Sequence, residues 1–152
     1  MKKVDFFIVG AAKAGTTSLY HYLNEHSDIE MSSQKEPDFF SDTSLHTQML
    51  YYGKNRIDTI EKYHALFQQE NVILRGDASV SYLFYADVPK KIIKYNPNAK
   101  IVIMLRNPID RAFSHYLMDY RLGLVSQSFE SIIQKESTHK NGYLFYQQYI
   151  EV

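Results

Sequence analysis

A stretch near the start of the chain combines residue types that bind anions: GAAKAGTTSLYHYL, residues 10–23. Gly10 and Gly15 bound a loop and allow a ligand close to the backbone, and Lys13 lies between them. A Walker A loop would instead carry its lysine directly after the second glycine. The residues that follow the second glycine here all bear hydroxyl groups: Thr16, Thr17 and Ser18. The stretch therefore predicts an anion-binding loop with a displaced lysine.

The pattern on either side of this loop predicts a strand that enters it and a helix that leaves it. Residues 4–9 are apolar apart from Asp5, which is typical of a parallel strand covered on both faces. Residues 16–26 carry apolar side chains at helical spacing. The start of such a helix presents unpaired N–H groups and the positive end of the helix dipole, and both favour an anion. The alternative is a plain turn with an exposed lysine and a threonine cap.

A second cation follows another predicted strand. Residues 100–105 are mainly apolar, and Arg106 comes next, where a nucleotide triphosphatase would need an acid to hold magnesium. A cation in place of that acid favours a second anionic group on the same ligand. The alternative is a structural ion pair of Arg106 with Asp77 or Asp110.

The helix predicted after Arg106 adds a hydroxyl group to this second site. Asn107 is suited to cap the helix and Pro108 to occupy its first turn, and the pattern predicts that the helix runs to about Arg121. Ser114 lies two turns beyond residue 107 and therefore on nearly the same face. Arg106 and Ser114 could thus hold a phosphate from two sides.

The rest of the chain alternates strands with helices. We predict strands at residues 29–31 and in a run ending at Gly76, and helices at residues 57–67, 86–95, 129–135 and from within 139–152 onward. The pair Phe39 and Phe40 is expected to anchor its loop to the core. Strands alternating with helices favour an α/β fold with a parallel sheet.

Composition limits the classes of function. The 152 residues include 17 basic and 17 acidic side chains, so no broad nucleic-acid footprint is expected and any anion site must be local. The absence of cysteine excludes disulfides and thiolate chemistry and fits a cytoplasmic location. The six histidines show no metal-ligand spacing, so we expect no metal site. No apolar segment approaches the roughly 20 residues that cross a bilayer.

Three segments together resemble a known family. GAAKAGTTSLYHYL is similar to the 5'-phosphosulfate-binding loop of sulfotransferases that use 3'-phosphoadenosine 5'-phosphosulfate (PAPS), and IVIMLRNPIDRAFSHY is similar to their 3'-phosphate-binding segment. With KEPDFF, the likeness is to the glycan and bacterial branch and extends from Val4 onward. It implies a three-layer fold related to P-loop kinases with a central parallel sheet. It also implies one sulfotransferase domain over residues 1–152 whose C-terminal part is missing.

The resemblance assigns roles to particular residues. Those implied to hold the 5'-phosphosulfate are Lys13, Ala14, Gly15, Thr16, Thr17 and Ser18. Arg106 and Ser114 are implied to hold the 3'-phosphate. Lys13 is also implied to act in catalysis, because its ammonium can follow the bridging oxygen as charge develops on it. The partners implied are the nucleotide, with 3'-phosphoadenosine 5'-phosphate (PAP) as product, and a hydroxyl-bearing acceptor such as a glycan, lipid or small alcohol, with no metal.

Glu36 is the catalytic base by the same resemblance, taking the proton of the acceptor hydroxyl. The alternative is a solvated loop glutamate paired with Lys35. The chain departs from the glycan-acting pattern at Asp38, where a histidine is frequent, and at Ala78, where a lysine is frequent. These departures favour a neutral or hydrophobic alcohol. The competing functions are a divergent P-loop kinase or nucleotide-binding protein, and a nucleotide-binding remnant without turnover.

Overall fold

The computed structural model of the chain describes residues 2–47 and 56–134, and all elements below lie in those ranges. The chain forms two compact units, residues 1–105 and residues 106–152. The helix predicted from within 139–152 onward lies outside the described residues, and the single-domain assignment stays a prediction.

A four-stranded parallel sheet forms the centre of the first unit. Its strands are β1 (Phe6–Gly10), β2 (Ile29–Met31), β3 (Leu74–Ala78) and β4 (Lys100–Ile103). The spatial order is β2-β3-β1-β4, and each neighbouring pair is parallel. The prediction of an α/β fold with a central parallel sheet is thus confirmed. Because the strands are parallel, the loops that follow β1, β2 and β3 all leave the same edge of the sheet, where ligands bind in open α/β folds.

Helices connect and follow the strands. They are α1 (Thr16–Asn24), α2 (Asp42–Thr47), α3 (Ile60–His64), α4 (Val88–Tyr95), α5 (Pro108–Arg121) and α6 (Phe129–Gln134), with short 3-10 helices at Phe39–Ser41 and Val80–Leu83. Helix α5 begins and ends as predicted, because the Asn107 side chain caps it and Pro108 fits its first turn. Within the described residues, no helix is both long enough and apolar enough to cross a membrane.

The sheet of the first unit is covered on both faces, because alternate residues of a strand point in opposite directions. On one face, Phe7 of β1 packs in a core with Tyr63 of α3 and Val88 of α4. On the other face, Ile8 packs with Tyr20 of α1. Helices on both sides of the sheet make three layers, which confirms the architecture expected from the resemblance.

Several predicted boundaries were wrong. Strand β3 does not end at Gly76 but continues to Ala78, because Asp77 and Ala78 pair in register with β1. Strand β4 ends at Ile103 because the register shifts opposite Gly10, so that Leu105 lies beyond the strand. Helix α3 is shorter than predicted, and α2 was not predicted.

Gly76 carries a stability prediction of its own. A Cβ atom at this position would lie 2.2 Å from Phe6 Cζ and 2.6 Å from Met31 Sδ, and both of those side chains belong to the core. We therefore expect Gly76→Ala to lower the free energy of unfolding by about 1–3 kcal/mol or more, through overpacking. Urea denaturation measures this change. A Gly76→Ala protein as stable as the wild type would contradict the packing described.

Candidate active site

The loop between β1 and α1 presents the start of a helix without a side-chain cap. Gly15 occupies the N-cap position in a left-handed conformation, with φ of 92°, and no side chain there bonds to the helix. The first N–H groups of an α-helix have no partner within the helix. Thr17 and Ser18 are exposed in this first turn, whereas Thr16 is buried. The loop therefore suits a bound anion.

Lys13 lies in this loop in an unusual backbone conformation. Its φ is 64°, in the left-handed region that residues with a Cβ rarely adopt. The loop is tied by hydrogen bonds from the Ala11 N–H to the Met104 carbonyl at 2.7 Å and from the Ala14 N–H to the Ala11 carbonyl at 3.2 Å. Non-glycine residues held in this region cluster at functional sites. The backbone at Lys13 is consistent with a functional loop.

The loop is also supported from the end of β3. A Cβ atom on Gly10 would lie 3.0 Å from the Cβ and Cδ2 atoms of Leu83, so the 3-10 helix Val80–Leu83 packs directly against the start of the loop. With its φ of +153°, Gly10 also has a backbone conformation that L side chains rarely adopt. A larger residue here would displace the loop that carries Lys13.

Glu36 lies in the loop that follows β2, at the same edge of the sheet. The Glu36 N–H donates to the Ala78 carbonyl at 3.1 Å. The Lys35 ammonium lies 2.6 Å from Glu36 Oε1, and both side chains are partly exposed. The ion pair proposed as the alternative for Glu36 is therefore present. Exposed pairs of this kind stabilise a fold by at most about 1 kcal/mol, so the pair leaves a role as base open.

Asp38 continues the same loop and is held by hydroxyl groups. Its N–H donates to Ser79 Oγ at 3.1 Å, and Ser81 Oγ donates to its Oδ1 at 2.6 Å. The aromatic pair that follows anchors the loop as predicted, since Phe40 is buried in the core and the Phe39 ring stacks on Tyr63. The Asp38 carboxylate is thus fixed by the Ser81 hydroxyl.

Asp77 is the polar centre beneath this loop, although the sequence indicated it only as an ion-pair partner for Arg106. Its Oδ2 accepts hydrogen bonds from the hydroxyls of Tyr63 at 2.7 Å and Tyr82 at 2.8 Å, and its Oδ1 accepts from Ser79 at 2.7 Å. Burial raises the pKa of Asp77 to about 6, although the three hydroxyl donors oppose that shift. The signal in the sequence was an aspartate directly after Gly76, the residue at which the strand was predicted to end.

The second unit carries the two residues implied for the 3'-phosphate. The Asn107 side chain accepts hydrogen bonds from the N–H groups of Ile109 at 3.0 Å and Asp110 at 3.4 Å, which fixes the start of α5. Arg106 precedes this cap and is exposed, and Ser114 is half-buried on the helix. An exposed guanidinium can reach a phosphate.

The structure thus brings Lys13 and Glu36 to one edge of the first unit's sheet and places Arg106 and Ser114 in the second unit. Their assigned roles stay predictions. Across residues 2–47 and 56–134, no three histidine, aspartate or glutamate side chains are grouped so that they could hold a metal ion.

Comparisons with known proteins agree with this architecture. The crystal structure of a sulfotransferase from Alicyclobacillus acidocaldarius is similar to this one, with a TM-score of 0.85 and 36% sequence identity. The match covers 98% of this chain and 64% of the Alicyclobacillus chain. The membrane-associated sulfotransferase kil1 of Dictyostelium discoideum is 30% identical over 143 residues, covering 88% of this chain and 28% of that protein. Human carbohydrate sulfotransferase 15 is 28% identical over 148 residues, covering 74% of this chain and 26% of that protein.

The chain spans little more than a quarter of the length of these two curated relatives, 28% and 26%. The family model described as the sulfotransferase domain matches residues 3–151, nearly the whole chain. The chain therefore belongs to the sulfotransferase domain family.

Proposed function

We propose that this chain supplies the donor-binding loop and the catalytic base of a sulfotransferase that uses PAPS as donor and a hydroxyl group as acceptor. The observation that carries the proposal is the uncapped start of α1, with Lys13 in the preceding loop, at the same sheet edge as Glu36. An anion-binding helix start and a carboxylate at the same edge of the sheet are what transfer of an anionic group to an alcohol requires.

PAPS, when bound, supplies the sulfuryl group. The N–H groups at the start of α1 would hold its 5'-phosphosulfate, with the hydroxyls of Thr17 and Ser18 as further donors. The Lys13 ammonium would stabilise the negative charge that develops on the bridging oxygen, so that PAP can leave. The positive charge and the fixed N–H donors do this without a metal ion.

Glu36 would accept the proton of the acceptor hydroxyl as the hydroxyl oxygen attacks sulfur. The new bond joins that oxygen to sulfur, the bond from sulfur to the 5'-phosphate breaks, and the proton remains on the Glu36 carboxylate. Lys35, 2.6 Å from Glu36, holds the carboxylate in place. The electron pair of the broken bond goes to the bridging oxygen, which leaves as part of PAP.

The charges around Glu36 favour an acceptor without negative groups. Glu36, Asp38 and Asp77 are three carboxylates around one loop, with the Lys35 ammonium beside Glu36. A sulfated or otherwise polyanionic acceptor would be repelled there. We therefore propose a neutral alcohol or uncharged glycan as acceptor.

Nucleotide binding separates this proposal from a kinase. Isothermal titration of the full-length protein with PAP, and separately with ATP and magnesium, tests it. We expect PAP to bind and magnesium ATP to bind much more weakly, because a nucleoside triphosphate has no 3'-phosphate for Arg106 and Ser114. Tight binding of magnesium ATP without binding of PAP would refute the proposal in favour of a kinase.

Arg106 gives the prediction specific to the 3'-phosphate. Loss of a hydrogen-bonded charge pair costs about 1.5–3 kcal/mol, so we expect Arg106→Ala to weaken PAP binding about 10- to 150-fold. Binding of adenosine 5'-phosphate, which lacks the 3'-phosphate, would be unchanged. Arg121→Ala is the matched control, because Arg121 is an exposed arginine at the other end of α5. If Arg106→Ala weakened the binding of PAP and of adenosine 5'-phosphate equally, Arg106 would not bind the 3'-phosphate.

A further inference from the structure

The loop that carries Glu36 has an unfavourable backbone conformation, so contacts with other parts of the chain must stabilise it. Glu36 and Asp38 both have φ of 55°, in the left-handed region. Residues with a Cβ rarely adopt that region, because the Cβ atom lies too close to the following carbonyl oxygen. Pro37 between them is fully buried and has no N–H group. A loop with two such residues keeps its shape only if specific contacts stabilise it.

Those contacts come from the end of β3. The only two backbone N–H groups of residues 36–38 belong to Glu36 and Asp38, and they donate to the Ala78 carbonyl and to Ser79 Oγ, each at 3.1 Å. The first contact uses the strand backbone. The second depends on the position of one serine side chain, which is itself fully buried.

Asp77 sets the orientation of that serine. A hydroxyl has one hydrogen, and the Asp38 N–H can only donate, so Ser79 Oγ must accept from Asp38 and is left to donate its own hydrogen. It donates to Asp77 Oδ1 at 2.7 Å. The carboxylate therefore turns the serine so that its lone pairs face the loop.

Asp77 is in turn fixed by the core. The hydroxyls of Tyr63 on α3 and Tyr82 after β3 both donate to its Oδ2, and both tyrosines are fully buried. The ring of Phe40, which ends the Glu36 loop, contacts both tyrosine rings at 5.6 and 5.7 Å between centroids. The carboxylate thus joins the aromatic core to the loop.

We propose that Asp77 is a positioning residue for the transfer reaction: through the Ser79 hydroxyl it fixes the Glu36–Asp38 loop and so the direction of the base. Asp77 touches no substrate and acts only through Ser79. The proposal rests on the proposed function, since a base is positioned only if there is a reaction. Small displacements of a reacting group are costly, about 100-fold in rate for 1 Å.

Two matched variants separate positioning from stability. Ser79→Ala removes the hydroxyl between Asp77 and Asp38 and leaves both tyrosine bonds in place. Tyr63→Phe removes one hydroxyl donor from the other oxygen of the same carboxylate, Oδ2, and leaves the bonds from Tyr82 and Ser79 in place. Each loses one buried hydrogen bond to Asp77 and is expected to unfold at a lower urea concentration than the wild type. Only Ser79→Ala releases the loop.

The full-length protein is assayed for kcat, KM for PAPS, urea denaturation and exchange of the Asp38 amide hydrogen. For Ser79→Ala we expect kcat to fall about 10- to 100-fold with an unchanged KM for PAPS, and the Asp38 amide to exchange about tenfold faster. For Tyr63→Phe we expect wild-type kcat and wild-type exchange at Asp38. If both variants lose kcat equally, or neither does, the positioning role is refuted.

Amide exchange keeps the two proposals distinguishable. If the wild-type protein transfers no sulfuryl group, the proposed function fails, but faster exchange at Asp38 in Ser79→Ala alone would still support the link from Asp77 to the loop. If Ser79→Ala does not fold, amide exchange in the wild-type protein tests the bond from Asp38 to Ser79. Slow exchange of the Asp38 amide supports this bond, and exchange as fast as in an unstructured peptide refutes it.

Discussion

Lys13→Ala is expected to lower kcat by about 100- to 1,000-fold, the usual loss when one group that stabilises developing charge is removed. The reason is that Lys13 lies in the loop before an uncapped helix start, where the donor's leaving oxygen would gain negative charge. Alanine does not change the backbone strain, because both residues have a Cβ atom at the φ of 64°. Stability is therefore expected to stay near that of the wild type.

The measurement is steady-state kinetics with PAPS, supported by titration with PAP. Lys90→Ala is the matched control, since Lys90 is an exposed lysine on α4. Lys13→Arg keeps the charge but not the compact ammonium, so it is expected to retain part of the activity. A Lys13→Ala protein with the kcat of the Lys90→Ala control would show that Lys13 takes no part in transfer.

Glu36→Gln is expected to lower kcat by about 100- to 10,000-fold, the range supplied by a general base. Glutamine has nearly the same shape and can keep the backbone bond to Ala78, but it cannot accept the acceptor's proton. Binding of PAP is expected to be unchanged, because the nucleotide contacts other residues. The variant thus separates the chemical step from donor binding.

The control for this variant is Glu70→Gln, which neutralises an exposed glutamate in the loop before β3. Activity and PAP affinity are measured for both proteins. Wild-type turnover in Glu36→Gln would show that another residue is the base. The role of Glu36 would then be limited to its ion pair with Lys35.

The parts of the fold that the sequence predicted best rest on local signals. The start of α1 followed from a glycine before a helical pattern, and the start of α5 from Asn107 and Pro108, each of which acts on its own neighbours. Strand β2 was predicted at its observed bounds, Ile29–Met31. Signals within a few residues of one another suffice for such elements.

The network around Asp77 was not predictable because its partners are distant in the sequence. Ser79 bonds to Asp38 across 41 residues, and Tyr63 bonds to Asp77 across 14. Neither spacing has a local signature. The same holds for β3, which was predicted to end at Gly76, whereas Asp77 and Ala78 continue it by pairing with β1.

The left-handed backbone conformation of Lys13 and Glu36 was likewise not predictable from the sequence. Sequence reasoning expects such conformations at glycine, asparagine or aspartate, and neither a lysine nor a glutamate signals one. The candidate site was therefore identified by residue type and resemblance, whereas the contacts that shape it came only from the structure.

The proposed reaction moves a sulfuryl group from PAPS to a neutral hydroxyl. Its most direct test is incubation of the full-length protein with radiolabelled PAPS and a panel of acceptors: uncharged glycans, small and lipid-like alcohols, and sulfated glycans. We predict a labelled sulfate ester on an uncharged acceptor, release of PAP in equal amount, and little label on the sulfated glycans. Binding of PAP with no labelled product on any acceptor would contradict the claim and indicate a nucleotide-binding protein without turnover.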